Sequence, residues 1–254
     1  GKGGRGKGGR RAAQMRAVER ATEESRRNKF GGGDDSDSMV DLRRRYPAQK
    51  YSESTLQSLM CVDESKINYD LIQDLLRNLS VTLPSEGSIL IFLPGLMEIT
   101  RLYNELNADK RGFGDDSKFV LHPLHSTLTT AEQKKIFVRP KKGVRKIVIA
   151  TNIAETSITI DDCVCVIDTG RVKENRYDHA RKMATLLQTW VSIASAKQRR
   201  GRAGRVRSGV CYHLFSSQTR DDEMDEYTLP EMLRVPLDET VLQIKMLDLG
   251  AVRE

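Results

Sequence analysis

The sequence predicts an α/β domain: a parallel sheet with helices on both faces, an antiparallel hairpin excursion, and a disordered basic segment ahead of it. Three observations predict this. Short apolar runs alternate with stretches of helical periodicity. The runs are apolar throughout rather than at every second residue, as strands covered on both faces are. The polar residues of chemical interest follow directly on those runs, at the strand ends where open α/β sheets bind ligands.

Taken in order, residues 1–11 (GKGGRGKGGRR) are of low complexity and lack the apolar residues of a core. Residues 12–29 suit a marginal, solvated helix, and 31–38 (GGGDDSDS) a flexible break. Order is expected from about Leu42 or Tyr46. Ile67, Leu71, Ile72, Leu75 and Leu76 then recur at helical spacing. Strands are expected at Ser88–Leu93, Lys118–Leu121, Lys146–Ala150, Cys163–Ile167 and Val210–Phe215. Helices are expected at Leu96–Leu106, Thr130–Phe137 and Ala194–Ala203, and Arg181–Ser192 reads as the antiparallel excursion. From Tyr227 a helical pattern opens a further unit. The domain division is therefore 1–45 (disordered basic linker or insert), 46–219 (the α/β domain) and 220–254 (the start of a following helical module, truncated).

Composition narrows the function classes. The 254 residues carry 42 Lys and Arg against 35 Asp and Glu, a net charge of +7. All of that excess sits in residues 1–30, which hold ten basic residues and three Glu. The remainder is neutral, so bulk charge does not by itself assign a nucleic-acid partner to the folded part. No run approaches the roughly 18–20 apolar residues of a membrane span, and the first residues lack the apolar core of a secretory signal. Four cysteines in apolar contexts point to a reducing compartment, cytoplasmic or nuclear. The chain does not open on Met, which suggests a piece of something longer.

Two segments carry chemistry. Gln198-Arg199-Arg200-Gly201-Arg202-Ala203-Gly204-Arg205 concentrates guanidinium groups around two glycines that leave backbone uncovered. On a helix Gln198, Arg202 and Arg205 would share one face, and an amide with two guanidiniums suits a polyphosphate. A bare basic patch is the alternative. Ala150-Thr151-Asn152-Ile153-Ala154-Glu155-Thr156-Ser157-Ile158-Thr159-Ile160-Asp161 leaves a buried strand with hydroxyls and carboxylates in quick succession. Taken alone it also reads as a polar loop with a helix N-cap at Thr156 or Ser157.

Together the two segments resemble motifs V and VI of superfamily-2 helicases, specifically the DEAH/RHA-type (DExH-box) ATP-dependent RNA helicases. ILIFLPG (89–95) resembles motif IV, LHPLHSTL (121–128) the motif IVa region, and QKKIF (133–137) the element whose aromatic packs on adenine. The likeness runs from about Tyr46 to Met246. It implies the second, C-terminal RecA-like lobe of a two-lobe motor, followed by a winged-helix-like module. It further implies that Gln198 contacts the terminal phosphate and that Arg202 and Arg205 are arginine fingers. Ser157, Thr159 and Asp161 would line the nucleotide, Phe137 would stack on the base, and Thr151, Asn152 and Ser126 would hold single-stranded RNA. Two departures stand out: Pro94, where the family often has Thr, and Arg200, more often Ala, whose role stays open.

The partners implied are RNA and an N-terminal RecA-like lobe of the same protein, with ATP and Mg²⁺ as cofactors and the Mg²⁺ ligands on that first lobe. Gly1–Lys7 matches the phosphate-loop spacing, but Gly8 replaces the Ser/Thr that would hold Mg²⁺ and no strand precedes it. No Asp-Glu-x-His occurs. The chain alone should therefore hydrolyse no ATP. The alternative from another class is a catalytically silent RNA-binding or scaffolding module on the same fold. Cys163-x-Cys165 is expected to point to one face of a buried strand as core packing rather than metal ligation. His122-x-x-His125 lacks neighbouring ligands, and Trp190 is read as a packing anchor.

Overall fold

The computed structural model describes residues 42–46, 50–84, 86–178, 183–205 and 208–249. The expected basic segment lies outside the described residues up to 41; residues 42–45 form a helical turn closed by Tyr46 N–H on the Leu42 carbonyl at 2.8 Å. The chain divides into two compact units at Asp63/Glu64. In the first, helix α1 (Glu53–Cys61) is capped by the Ser52 hydroxyl, which accepts from Thr55 N–H. Sequence reading did not anticipate this helix, whose residues are mostly polar. Arg43 pairs with Glu53 at 2.8 Å, and Tyr46 meets Tyr51 edge to face.

The second unit begins with α2 (Tyr69–Thr82), β1 (Ser88–Phe92), α3 (Leu96–Ala108), β2 (Phe119–Leu124) and α4 (Thr130–Lys134), which tightens into a 3₁₀ turn at Lys135–Phe137. Then come β3 (Arg145–Ala150), the single-turn α5 (Ile153–Thr156), β4 (Cys163–Asp168), β5 (Arg171–Asp178) and β6 (Met183–Trp190). Helix α6 (Ile193–Arg200) runs into a 3₁₀ turn at Gly201–Gly204, and β7 (Val210–His213), α7 (Ser217–Glu223) and α8 (Asp238–Met246) close the described chain. Side-chain caps start these helices where the sequence offers Asn, Ser or Thr: Asn68 for α2, Ser192 for α6, Ser216 for α7. Thr129 and Glu132 form a reciprocal capping box on α4.

Strands β2-β3-β1-β4-β7 form one sheet in that order, all parallel, and β5-β6 form a separate antiparallel pair. The predicted parallel sheet and hairpin excursion are both present. One face buries Ile89, Ile91, Ile147, Ile149 and Ile167 under Ile72, Leu76 and Leu79 of α2 and Ile99, Leu102 and Leu106 of α3. The other buries Leu90, Phe92, Val148, Ala150 and Val166 under Ile136, Ala154, Ile158, Ile160 and Ala203. Each fully buried Ile or Leu contributes about 1.5–3 kcal/mol relative to exposure.

Five expectations need correction. The three central strands are buried on both faces, but β2 and β7 are only partly so, because they are the sheet's edges. The helix expected over Ala194–Ala203 ends as α-helix at Arg200, where Gly201 lets the chain tighten. Thr156 ends α5 and Ser157 is its C-cap, so neither is an N-cap. A register shift opposite Ser88/Ile89 pairs Ser88 with Cys163 and Ile89 with Cys165. That bulge breaks the alternation: Cys163 packs on the face with Ile158 and Ile160, Cys165 on the face with Ile147 and Ile149. Burial pushes both thiols up to about 12. The C-terminal pattern is not one helix either: a 3₁₀ turn at Glu231–Leu233 precedes α8, with Pro236, which has no amide donor, between them.

Candidate functional site

The loops bearing the motifs gather at the carboxyl edge of the sheet. Thr151 N–H donates to the Leu124 carbonyl at 3.1 Å, tying the end of β3 to the end of β2 just ahead of His125-Ser126. Thr151 is half-buried; Asn152 and Ser126 are exposed. Beside Ser126, the Thr127 hydroxyl and His125 Nδ1 are 2.7 Å apart. After α5 the chain sinks Ile158 and Ile160 into the core, which leaves Ser157 and Asp161 exposed and Thr159 half-buried.

The arginine-rich segment docks on this loop. Arg202 is 7% exposed and donates to the carbonyls of Ile158, at 3.2 Å, and Glu155. Burial, and then the charge of Arg205, draw Arg202 below its ordinary pKa. Arg205 is exposed and donates through Nη1 to the Thr159 hydroxyl at 2.7 Å. Gln198 is exposed on α6. The three residues are thus not in equivalent settings: Gln198 and Arg205 face outward, while Arg202 is turned into the motif V loop. Among the described residues, none beyond the adjoining backbone lies within 4 Å of a Cβ built on Gly201 or Gly204, so these positions present uncovered backbone. Phe137, at the end of its 3₁₀ turn, is 51% exposed.

Sequence reading missed the residue that binds the site together. Arg199 is wholly buried beneath the exposed Gln198. Its Nε donates to Glu155 Oε2 at 3.0 Å, its Nη1 to Asp168 Oδ1 at 2.8 Å and to the Arg171 carbonyl at 3.3 Å. Its guanidinium also lies 4.8 Å from the Phe92 ring centre. Asp168 is fully buried at the end of β4, accepts from Gly170 N–H at 2.9 Å and has His213 Nδ1 at 3.3 Å. Burial is the largest influence and raises the Asp168 carboxyl, but the Arg199 charge and the hydrogen bonds from His213, Arg199 and Gly170 together outweigh it and hold the group below the ordinary carboxylate range. A signal was available: a carboxylate closing a fully apolar strand demands a buried cation, and Arg199 is about 100° around the helix from the exposed Gln198.

At the base of the hairpin, Arg171 stacks 3.2 Å from the centre of the Trp190 ring, whose Nε1 donates to Glu223 at 2.8 Å. Trp190 therefore serves as an anchor. Lys173 pairs with Glu98 at 2.8 Å, beneath Gly95, where a Cβ would meet both side chains. Among the described residues no cluster of three or more His, Cys, Asp or Glu offers a metal site.

A RecA-like sheet with an arginine-rich turn seated on a hydroxyl-bearing strand-end loop is the architecture of a helicase lobe. The model of the helicase conserved C-terminal domain matches residues 69–207, and the chain belongs to that family, as the C-terminal domain of a DExH-box superfamily-2 helicase. It is 49% identical over 216 residues to the ATP-dependent RNA helicase dhx29 of Xenopus laevis, covering 84% of this chain and 16% of that one. It is 48% identical over 200 residues to the DExH-box ATP-dependent RNA helicase DExH4, chloroplastic, of Arabidopsis thaliana, covering 79% and 14%. The crystal structure of the E. coli DExH-box NTPase HrpB superposes with a TM-score of 0.61 at 32% identity, covering 72% of this chain and 22% of that one. The chain thus spans about a sixth of the length of the first two relatives.

Proposed function

We propose that the chain is the second lobe of an ATP-dependent RNA helicase, supplying arginine fingers for ATP hydrolysis and part of the track for single-stranded RNA. The observation that carries this is the seating of Arg202 and Arg205 on Glu155, Ile158 and Thr159. The same short loop starts at Thr151-Asn152, so one segment faces RNA at its beginning and the nucleotide at its end. In this reading Gln198 and Arg205 meet the terminal phosphate directly. Arg202 exchanges its two carbonyl partners for phosphate oxygens when a first lobe delivers them. Ser157, Thr159 and Asp161 line the nucleotide, Phe137 stacks on the base, and Thr151, Asn152 and Ser126 hold the RNA backbone. Mg²⁺ neutralises phosphate charge, and its ligands belong to the first lobe.

Within this proposal residues 1–45 act as a basic linker, 46–219 as the lobe and 220–254 as the start of a helical module. The compartment is cytoplasmic or nuclear, and the isolated chain is inactive. A second reading, a silent RNA-binding module, has one observation of its own: Arg202 is buried and already satisfied by carbonyls. Steady-state phosphate release by the complete helicase with Arg205→Ala separates the two. Arginine fingers contribute about 10³–10⁵ in rate. The motor reading expects turnover to fall below a few per cent while RNA affinity holds; unchanged turnover would reject it.

A further inference from the structure

Lys146 is a buried ammonium on the same face of the sheet as the motif loops. It is the second residue of β3, 2% exposed, in a strand that continues as Ile147-Val148-Ile149-Ala150. An ammonium in such a position is strongly unfavourable unless paired and hydrogen-bonded. Its Nζ donates to the Ile136 carbonyl at 2.7 Å and lies 3.0 Å from Asp162 Oδ2.

The two partners belong to different parts of the site. Ile136 is the middle residue of the 3₁₀ turn Lys135–Phe137, with its side chain 1% exposed in the core. Its carbonyl oxygen sits on the planar peptide unit that leads into Phe137, so holding that oxygen sets the plane from which the Phe137 ring departs. Asp162 follows Asp161 at the end of motif V. Its Oδ1 accepts from the Ser88 hydroxyl at 2.9 Å and its carbonyl from Ser88 N–H at 2.7 Å. Asp162 is therefore fixed to the start of β1, and Lys146 carries that fixed position across to the aromatic turn. Apolar packing alone would be met by an aliphatic side chain; what the charged end adds is the grip on this carbonyl.

We propose that Lys146 is a positioning residue for the base platform: it locks the peptide that presents Phe137 and ties it to the acidic end of motif V. This rests on the reading of Phe137 as the residue that stacks on the nucleotide base. The test is a double-mutant cycle in the complete helicase, reading KM for ATP and kcat for Phe137→Ala, Lys146→Met and the two combined. Lys146→Met/Asp162→Asn serves as a companion variant that leaves no unpaired carboxylate and keeps the measurement open should Lys146→Met fold poorly. An aromatic stack is worth roughly a two- to tenfold change in affinity. Phe137→Ala is expected to raise KM by that factor. Lys146→Met should do the same with kcat within about twofold, and the combination should be no worse than Phe137→Ala alone, because both act through one ring. If Phe137→Ala raises KM and Lys146→Met does not, or if their effects multiply, the role of Lys146 is rejected and the platform stands. If Phe137→Ala leaves KM unchanged, the platform reading itself fails and the proposal for Lys146 fails with it.

Discussion

Arg199 and Arg205 lie six residues apart in one motif and respond to opposite rules. Arg199 is a buried cation between Glu155 and Asp168. Removing it strands two carboxylates away from water, and breaking such a pair from one side costs about 3–5 kcal/mol. Arg199→Met should therefore lower the urea midpoint of the lobe sharply with little change in the slope of the transition. Arg205 is exposed, and its bond to Thr159 contributes no more than about 1 kcal/mol. Its loss should move the midpoint in the same unfolding experiment far less than the loss of Arg199 does. Neighbouring arginines thus divide into one that holds the loop and one free to turn toward a ligand. Glu155 joins the two roles: its carboxylate belongs to Arg199 and its carbonyl to Arg202.

At the scale of elements, the hairpin is set on the sheet through Gly170. Its φ is +68°, and a Cβ there would come within 2.5 Å of the Phe215 ring. The Gly170 carbonyl also accepts from Val191 N–H at 2.8 Å, closing the hairpin's base. Gly170→Ala should cost about 1–3 kcal/mol in a thermal unfolding assay, from the left-handed backbone alone, before any clash. The apolar runs and the helical spacing made β1, β3, β4, α2 and α3 legible in the sequence, since burial on both faces and periodicity are local properties. Other features were not legible because they depend on partners distant in the chain. The bulge at Cys163–Cys165 depends on register with Ser88 and Ile89. The burial of Arg199 depends on a strand end 31 residues away. In the candidate site, the two segments that meet were readable from the motifs; the inward turn of Arg202, in the 3₁₀ turn after Arg200, was not.

For the whole molecule, the half-buried His122 and the buried Asp168 both contribute to the acid limb of stability. His122 is held below its ordinary value of 6.5, first by burial and then by the charges of Lys146 and Lys135. The unfolded chain takes up that proton more readily than the folded one, so stability begins to fall as pH drops through about 6.5. Asp168, also depressed, contributes stability that is complete at neutral pH and is lost only below its ordinary value of 3.8. Chemical denaturation across pH should show two successive losses, and His122→Asn should remove the upper one alone. The sheet order carries a different consequence. It leaves β2 as an open rim, and that rim holds Pro123 in register with Ile149. Proline has no amide hydrogen to offer an incoming strand, and the opposite rim, β7, is only four residues long. An unpaired strand border invites copies of the same chain to zip on, and these two borders guard against such fibrous self-pairing.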